Sequence, residues 1–208
     1  MDHKPKERPF LFNGDMVRAI LEGRKTQTRR IVKTRIPSDA PRNINPHTLE
    51  VEDGGGYGFY DDNGDVHKAP CCPGELLWIR ETWGKGSENN VCHSSDEMIF
   101  YRATDPGWDD NDTGFKWRPS IHMPRWASRI TLKVTSVRIE RLNQINSLDA
   151  ESEGCPVSYN PETGYHEIHT GHGTPIYWFA DLWESIYGKG SWDENPFVWV
   201  IDFEVVQQ

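Results

Sequence analysis

The sequence has few cysteines, no long apolar run and no excess of positive charge. Only four of the 208 residues are cysteine. Cys71 and Cys72 are adjacent, and Cys92 and Cys155 lie in distant polar segments, so the spacing does not resemble the disulfide framework of a small secreted protein. No apolar stretch reaches the length of a membrane span, and the first residues lack the apolar core of a signal peptide. We therefore expect a cytoplasmic protein without a membrane partner.

The charge balance limits the kind of partner. The chain has 23 Lys and Arg against 32 Asp and Glu, a formal net charge of -9. A protein that coats nucleic acid through bulk electrostatics needs a broadly basic surface, so this class is disfavoured, although a local basic patch can still bind a nucleotide. The 36% hydrophobic content is enough for one good core. We expect a single domain spanning residues 1–208.

The most basic stretch runs from Gly23 to Arg30. Before it, Asn13 can cap a helix with apolar residues on one side, and Gly23 suits the left-handed position that ends such a helix. After it, the segment Thr26 to Val32 mixes β-branched and long polar residues, as a half-exposed strand does. From composition alone, the interpretation to prefer is a solvated basic strand after a helix.

Strand patterns outnumber helix patterns in the rest of the chain. Strands are predicted at 8–12, 76–80, 130–139 with a bend near Thr135, and 197–205. Short helices are predicted with Asn146 or Ser147 as cap, ending at Gly154, and around Phe179 to Ile186, ending at Gly188. This order favours an α+β fold, a small and mostly antiparallel β-barrel with peripheral short helices.

Three polar segments interrupt these elements and are predicted to be insertions. They lie near residues 35–72, 84–116 and 155–175, and are rich in Gly, Pro, Asp and Asn. The first is expected to hold a small hairpin from Tyr57 to His67, and the second a strand at Met98 to Tyr101.

Two blocks carry a resemblance to a known family. The segments Ile20 to Arg30 and Pro73 to Arg80 resemble the ASCH domain, a member of the PUA-like β-barrel superfamily. The stretch Trp117 to Arg129 is similar to one in the longer ASCH-like proteins of phages and prophages, which are often labelled morphogenetic. The resemblance implies a PUA-like barrel and a nucleobase-binding or RNA-binding function.

The resemblance also implies a catalytic set. Amidohydrolase members of the ASCH family hydrolyse the amide of N4-acetylcytidine, and their lysine, threonine and glutamate match Lys25, Thr28 and Glu153. A threonine hydroxyl needs a base to take its proton, and a lysine can do so only if its pKa falls toward neutrality. Neighbouring arginines disfavour protonated lysine, and a carboxylic acid can protonate the leaving amine.

For the catalytic set to act together, Lys25 and Thr28 must face the same side of the chain. Positions three apart point to opposite faces of a regular strand, so Lys25 must precede the strand or the strand must be bulged. We expect Arg24, Lys25, Thr28 and Glu153 to border one cleft, and the flanking Arg29 and Arg30 to contact the substrate. The ordinary alternatives are a solvated lysine beside a helix end, a strand-face threonine and a surface-helix glutamate.

A second group interleaves aromatic and cationic side chains, which can stack a base and hold a phosphate. Its ordinary alternative is a core-covering loop with buried tryptophan anchors, since several of the nine tryptophans must belong to the core. The predicted binding residues of this group are Arg80, Trp83, Arg118, His122, Arg125 and Trp126.

Zinc is commonly bound by histidine and cysteine, and the sequence has His166, His169 and His172 with Cys155 nearby. They lie among Gly, Thr and Pro without a helix or a paired CxxC motif to set their geometry. We therefore predict no metal and no cofactor.

Two function classes remain open. One is an amidohydrolase acting on an N4-acylated cytosine nucleoside or a related modified base. The other is a module that binds RNA or a modified base in the same pocket without turnover; a ribonuclease and a phage structural role are further alternatives. The acidic balance favours a small nucleoside over long RNA as partner, and the oligomeric state does not follow from the sequence.

Overall fold

A computed structural model describes residues 5–33, 47–49, 56–60, 66–86, 98–107, 115–160, 162, 165–168 and 173–206. The chain forms two compact units. The first unit comprises Met1–Glu22, Glu75–Lys133 and Val205–Gln208, and the second comprises Gly23–Gly74 and Val134–Glu204. The single-domain assignment stays a prediction.

The described residues form a mixed α+β structure with mostly strands, as the sequence predicts. The strands are β1 (Glu7–Leu11), β2 (Gln27–Ile31), β3 (His47–Leu49), β4 (Gly56–Tyr60), β5 (Val66–Lys68), β6 (Leu76–Arg80), β7 (Trp83–Gly86), β8 (Met98–Tyr101), β9 (Thr131–Arg141), β10 (Val157–Asn160), β11 (Tyr165–Ile168) and β12 (Phe197–Val206). The α-helices are α1 (Gly14–Leu21), α2 (Ser147–Ser152) and α3 (Pro175–Tyr187). None of these helices is long and apolar enough to cross a membrane.

The first unit is built on β6. This strand pairs in parallel with β1, from Glu7 opposite Leu76 to Leu11 opposite Arg80, and antiparallel with the first residues of β9. The parallel pair departs from an all-antiparallel arrangement, because a long connection separates the two strands in sequence. β7 and β8 form an antiparallel hairpin. In α1, the Asn13 side chain accepts a hydrogen bond from the Met16 backbone, which confirms the predicted cap.

The second unit is built on the pairing of β12 with β2. β12 pairs antiparallel with β2, so that Thr28 lies opposite Ile201 and Gln27 opposite Asp202. β9, β12 and β2 follow in this order. A three-stranded sheet, β3-β4-β5, and the β10-β11 hairpin complete the unit. The sheets are open in the described part of the chain, and the closed barrel stays a prediction.

The two faces of the β12–β2 pair differ in character. One face packs against α2 and α3 through an apolar cluster, in which Val200 lies opposite Arg29 of β2. The other face carries Trp199, whose ring lies 6.1 Å from that of Phe59. Phe59 in turn stacks on buried His67 at 4.5 Å. The members of the apolar cluster are Leu142, Ile145, Ala150, Phe179, Trp183, Val198 and Val200.

The predicted insertions hold more structure than expected. The predicted hairpin from Tyr57 to His67 is confirmed by β4 and β5, and the strand at Met98–Tyr101 by β8. β7 and the β10–β11 hairpin form inside segments interpreted as loops. β9 runs unbroken through the predicted bend, while its buried side chains change phase between Val134 and Val137.

Candidate functional site

Lys25 lies in the short connection between α1 and β2. Gly23 adopts a positive φ of 75°, which a glycine tolerates without the steric cost of a Cβ. Lys25 forms an isolated antiparallel bridge with Glu153. Beside this bridge, the Thr26 backbone donates to the Ser152 carbonyl at 2.8 Å. The connection is therefore fixed by backbone bonds to the end of α2, and Lys25 precedes the strand as its predicted role requires.

Glu153 is placed by the way α2 begins and ends. The Asn146 side chain accepts a hydrogen bond from the Asp149 backbone and caps the start, so Asn146 is the cap of the two predicted candidates. The helix ends at Ser152, Glu153 is its C-cap, and Gly154 follows with a positive φ of 104°. This turn lets the Glu153 side chain lie beside that of Lys25 while Gly154 reverses the chain.

Lys25 and Glu153 form a buried ion pair. The Lys25 Nζ donates to the Glu153 Oε2 at 2.7 Å and to the Glu153 backbone carbonyl at 2.8 Å. The two side chains are 0% and 2% exposed. The ammonium thus stabilises both a carboxylate and a helix C-terminus, where a cation is favoured. This geometry excludes the alternative of a solvated lysine.

Arg29 binds the same carboxylate from a second direction. Its Nη1 lies 3.2 Å from the Glu153 Oε1, and its Nη2 lies 3.3 Å from the Asp149 Oδ2 and 3.4 Å from the Glu140 Oε2. Its side chain is 0% exposed, and its guanidinium lies 5.7 Å from the Phe179 ring centroid. The interpretation of this segment as a solvated, half-exposed strand is therefore wrong, because Gln27, Thr28 and Arg29 are buried.

A wider set of polar side chains surrounds this pair. The Gln27 Nε2 donates to the Asp149 Oδ1 at 3.1 Å and to the Asp202 Oδ1 at 2.7 Å. Arg138 forms ion pairs with Glu140, Asp149 and Asp202 at 2.6, 3.2 and 2.6 Å. The network joins three cations to four carboxylates, namely Lys25, Arg29 and Arg138 with Glu140, Asp149, Glu153 and Asp202.

The environment changes the protonation chemistry of Lys25. Burial lowers the pKa of this lysine below its ordinary 10.5, and the charges of Arg30 and Arg29 lower it further, while Glu153 acts in the opposite direction. A buried lysine with a lowered pKa can exchange its proton with a substrate or with its partner more readily than a solvated one. The pair is therefore suited to proton transfer.

Cys155 lies two residues beyond Glu153 and is buried. Burial and the charge of Glu151 raise the pKa of this thiol to about 11, although Arg24 acts in the opposite direction. A thiol with this pKa is protonated at neutral pH and is a poor nucleophile. Cys155 is thus a packing residue rather than a reactive one.

Thr28 lies on the other face of β2 from this network. It is 2% exposed, and it alternates with Gln27 and Arg29, whose side chains point toward α2. Among the described hydrogen bonds, none joins the Thr28 hydroxyl to Lys25 or Glu153. The structure thus brings Lys25 and Glu153 together and leaves Thr28 outside the hydrogen-bonded set.

The remaining arginines of the basic segment lie at its margin. Arg24 is half-buried and donates to the Gly154 carbonyl, next to Glu153. Arg30 is half-buried and lies on the same face of β2 as Thr28. Arg24 therefore helps to fix the end of α2, alongside Lys25.

The second predicted group lies in the first unit. Trp83 is buried and its backbone pairs with that of Arg118. Trp126 is 62% exposed, and its ring centroid lies 5.7 Å from that of Trp83. The Arg80 Nε donates to the Met123 carbonyl at 3.1 Å. His122 is exposed and Arg125 is half-buried. These residues lie around one aromatic pair, in which Trp83 is buried and Trp126 is exposed.

Sequence patterns could have identified one residue that was missed. Asp202 interrupts an otherwise apolar strand from Phe197 to Phe203, and a buried strand rarely contains an unpaired acid. That signal marks a polar network on the buried face. Glu140 and Asp149 give no comparable signal, because acids in a strand end and a first helical turn are common.

Of the three histidines considered as metal ligands, the structure describes only His166. His166 lies in β11, whereas His169 and His172, like Cys92, lie outside the described residues. Among the described residues there is no group of three or more His, Cys, Asp and Glu that could hold a metal ion. The absence of a metal and of a cofactor stays a prediction.

Comparisons of the chain with protein-family models, with curated proteins and with solved structures gave no match.

Proposed function

We propose that the second unit binds a nucleobase and hydrolyses the amide of an N4-acylated cytosine nucleoside, with Lys25 and Glu153 as its proton-transfer pair. The observation that carries this proposal is the buried contact of 2.7 Å between the Lys25 Nζ and the Glu153 Oε2. The lowered pKa of Lys25 supports it, because a perturbed ionisable pair is typical of a site that moves protons.

The chemistry assigns one task to each member. Lys25, in its neutral form, takes the proton from the hydroxyl that attacks the acyl carbonyl. The Glu153 carboxyl returns a proton to N4 as the carbon–nitrogen bond breaks, and the cytosine amine leaves. The family resemblance supplies Thr28 as the attacking hydroxyl, and water then releases the acyl group as a carboxylic acid. The role of Thr28 rests on the resemblance alone.

The proposal includes a fold and a setting. The strands of the described residues would form the core of an ASCH-like barrel of the PUA-like superfamily, within a cytoplasmic protein of phage or prophage origin. The mixed, strand-rich architecture supports this fold class at the level of secondary structure.

One observation favours a second candidate, a module that binds a base without turnover. Thr28 lies on the opposite face of β2 from Arg29, away from the Lys25–Glu153 pair. A site without an aligned nucleophile can still recognise a base through buried donors and acceptors. In this case Lys25 and Glu153 would fix the pocket rather than react.

A panel of modified nucleosides incubated with the pure protein, with products measured by mass spectrometry, tests the main proposal. Lys25→Arg keeps a buried positive charge but cannot act as a base, because an arginine stays protonated. Turnover should fall by about 100-fold or more, the lower end of the range for a lost general base. Lys189→Arg, at an exposed lysine of the same unit, is the matched control. Unchanged turnover in Lys25→Arg would exclude Lys25 as the base.

Variants of Thr28 separate the two candidates. For a nucleophile, Thr28→Ser keeps some turnover, and Thr28→Ala abolishes turnover while nucleoside binding persists. For a module that only binds, no nucleoside is turned over, and each variant changes the binding free energy by at most the roughly 0.5–1.5 kcal/mol of one hydrogen bond. Full activity of Thr28→Ala would end its assignment as nucleophile.

A further inference from the structure

The two carboxylate oxygens of Glu153 contact different cations. The Lys25 Nζ donates to Oε2 at 2.7 Å, and the Arg29 Nη1 donates to Oε1 at 3.2 Å. Lys25 also donates to the Glu153 backbone carbonyl at 2.8 Å, so the backbone and the side chain of Glu153 are fixed together. The carboxylate therefore cannot rotate without losing a buried, charge-assisted hydrogen bond on each side.

Arg29 is itself held from several directions. Its Nη1 also donates to the Gln27 Oε1. Its Nη2 lies 3.3 Å from the Asp149 Oδ2 in α2 and 3.4 Å from the Glu140 Oε2 in β9. The side chain is 0% exposed. Because its partners lie on a helix and on a different strand, the guanidinium has a fixed position from which it can orient another side chain.

The two cations beside Glu153 differ in what they can do with a proton. A guanidinium has N–H donors and no acceptor, and it stays protonated. A proton on Oε1 would point at an Arg29 donor, so Oε1 can act only as an acceptor. A neutral lysine amine has a lone pair and can accept a proton. Oε2 is thus the oxygen of Glu153 that can exchange a proton with Lys25.

We propose that Arg29 is a positioning residue for the proton-transfer pair: by occupying Oε1, it confines the transferable proton of Glu153 to Oε2, opposite Lys25. This role rests on the amide hydrolysis proposed above. The proton that Lys25 takes from the attacking hydroxyl passes across the 2.7 Å contact to Oε2 and from there to N4, while the carbon–oxygen bond forms and the carbon–nitrogen bond breaks. Lys25 ends neutral and Glu153 ends as a carboxylate, as they began, so the step needs no proton from outside.

Arg138 provides a comparison within the same network. It forms ion pairs with Glu140, Asp149 and Asp202, and the first two of these acids also bind Arg29. In the described part of the chain, no hydrogen bond or ion pair joins Arg138 to Glu153. Arg138 thus neutralises acids of the network without contacting the carboxylate that moves the proton, which is what a purely structural role of Arg29 would amount to.

Steady-state hydrolysis of N4-acetylcytidine by the full-length chain tests the role of Arg29. In Arg29→Gln the side-chain amide can accept as well as donate, so Oε1 can then hold the proton. We expect kcat to fall by about 100-fold, the loss that a small misplacement of a reacting group can cause, with little change in KM. Arg29→Lys keeps the charge and the donors but loses the planar fork, so its kcat should lie between the native and Arg29→Gln values.

A carbon-13 NMR titration of the Lys25 Cε gives a readout that needs no substrate. The charge of Arg29 contributes to lowering the pKa of Lys25, whereas Arg138 is not among the groups that shift it. The midpoint should therefore rise in Arg29→Gln and stay close to the native value in Arg29→Lys and in Arg138→Gln. Circular dichroism establishes that each variant is folded. Should Arg29→Gln not fold, a lowered kcat with a native midpoint in Arg29→Lys supports the proposal.

Three results would overturn the proposal. These are a native kcat in Arg29→Gln, a native kcat in Arg29→Lys where Arg29→Gln does not fold, and a Lys25 midpoint that rises as far in Arg138→Gln as in Arg29→Gln. Failure of the proposed function gives a different result, since the native chain would then hydrolyse no nucleoside. In that case an unchanged Lys25 midpoint in Arg29→Gln would also end the role of Arg29, and a raised one would retain its control of the pair.

Discussion

The two cation-rich segments of the chain differ in the burial of their cations. In the segment from Arg24 to Arg30, Lys25 and Arg29 become fully buried against carboxylates. In the segment from Arg118 to Arg129, cations border aromatic rings, and Trp126 and Arg118 remain exposed. Each stretch contains three arginines. The difference arises from partners far away in sequence, since Glu153 is 128 residues from Lys25.

The comparison shows what a positive charge needs in order to be buried. A buried ion is costly unless a counter-ion and hydrogen bonds replace its water shell. Lys25 obtains these from Glu153 and Arg29 from three carboxylates. In the first unit, Arg129 follows the same rule where it meets buried Glu81 through two bonds of 2.9 and 3.0 Å. Arg118, by contrast, is exposed.

The largest effect should come from removing the shared carboxylate. Glu153→Ala leaves both Lys25 and Arg29 buried without their common partner, and the loss of one member of a buried ion pair costs about 3–5 kcal/mol. Urea denaturation measures the change in the free energy of unfolding. Glu194→Ala, at an exposed glutamate of the same unit, should change it by less than about 0.5 kcal/mol. Equal small losses in both variants would contradict the buried network.

Much of the local structure could be predicted from the sequence, because caps and periodicity are local signals. Asn13 and Asn146 cap helices as expected, and Gly188 ends α3. The pairing of β1 with β6 was not predicted, and neither were β3, β7, β10 and β11 inside the polar segments. Register across a long connection depends on tertiary packing, and short strands rich in glycine, such as β7, carry little periodicity.

The candidate site could be predicted only in part. Lys25 and Glu153 were brought together by the family resemblance, and their contact is found in the structure. Arg29 was expected to contact substrate, but its guanidinium is occupied by carboxylates. Its side chain points to the same face as Gln27, and nothing in the local sequence indicates which face of β2 meets the acids of α2.

An intermediate effect should appear in the pH dependence of stability. Because the folded pKa of Lys25 is lowered below 10.5, the unfolded chain binds more protons between the two pKa values. The destabilising cost of the buried ammonium is fully present below the lowered pKa and is lost as the pH rises past 10.5. Each unit of pKa difference corresponds to about 1.4 kcal/mol.

Comparison with Lys25→Met isolates this contribution. The free energy of unfolding of the native chain, relative to the variant, should rise with pH across the window. A relative stability that falls with pH would mean that the ion pair with Glu153 raises the pKa of Lys25 more than burial lowers it.

The smallest effect should come from the exposed aromatic ring. Trp126→Ala removes a side chain that is 62% exposed, with its edge contact to Trp83 and its cation contact with Lys85. An aromatic pair contributes about 0.5–1.5 kcal/mol, and thermal denaturation should place the loss within that range. A loss as large as that of Glu153→Ala would show that Trp126 is a core anchor.

The central claim is that burial beside Glu153 makes Lys25 a base that can exchange its proton. A carbon-13 NMR titration of the lysine side-chain Cε resonances, with the Lys25 signal assigned by its loss in Lys25→Arg, measures this most directly. The account predicts a midpoint below 10.5 and a further decrease in Glu153→Gln, since the carboxylate is the group that raises the pKa. A midpoint at or above 10.5 would contradict it, because Lys25 would then remain a structural ammonium.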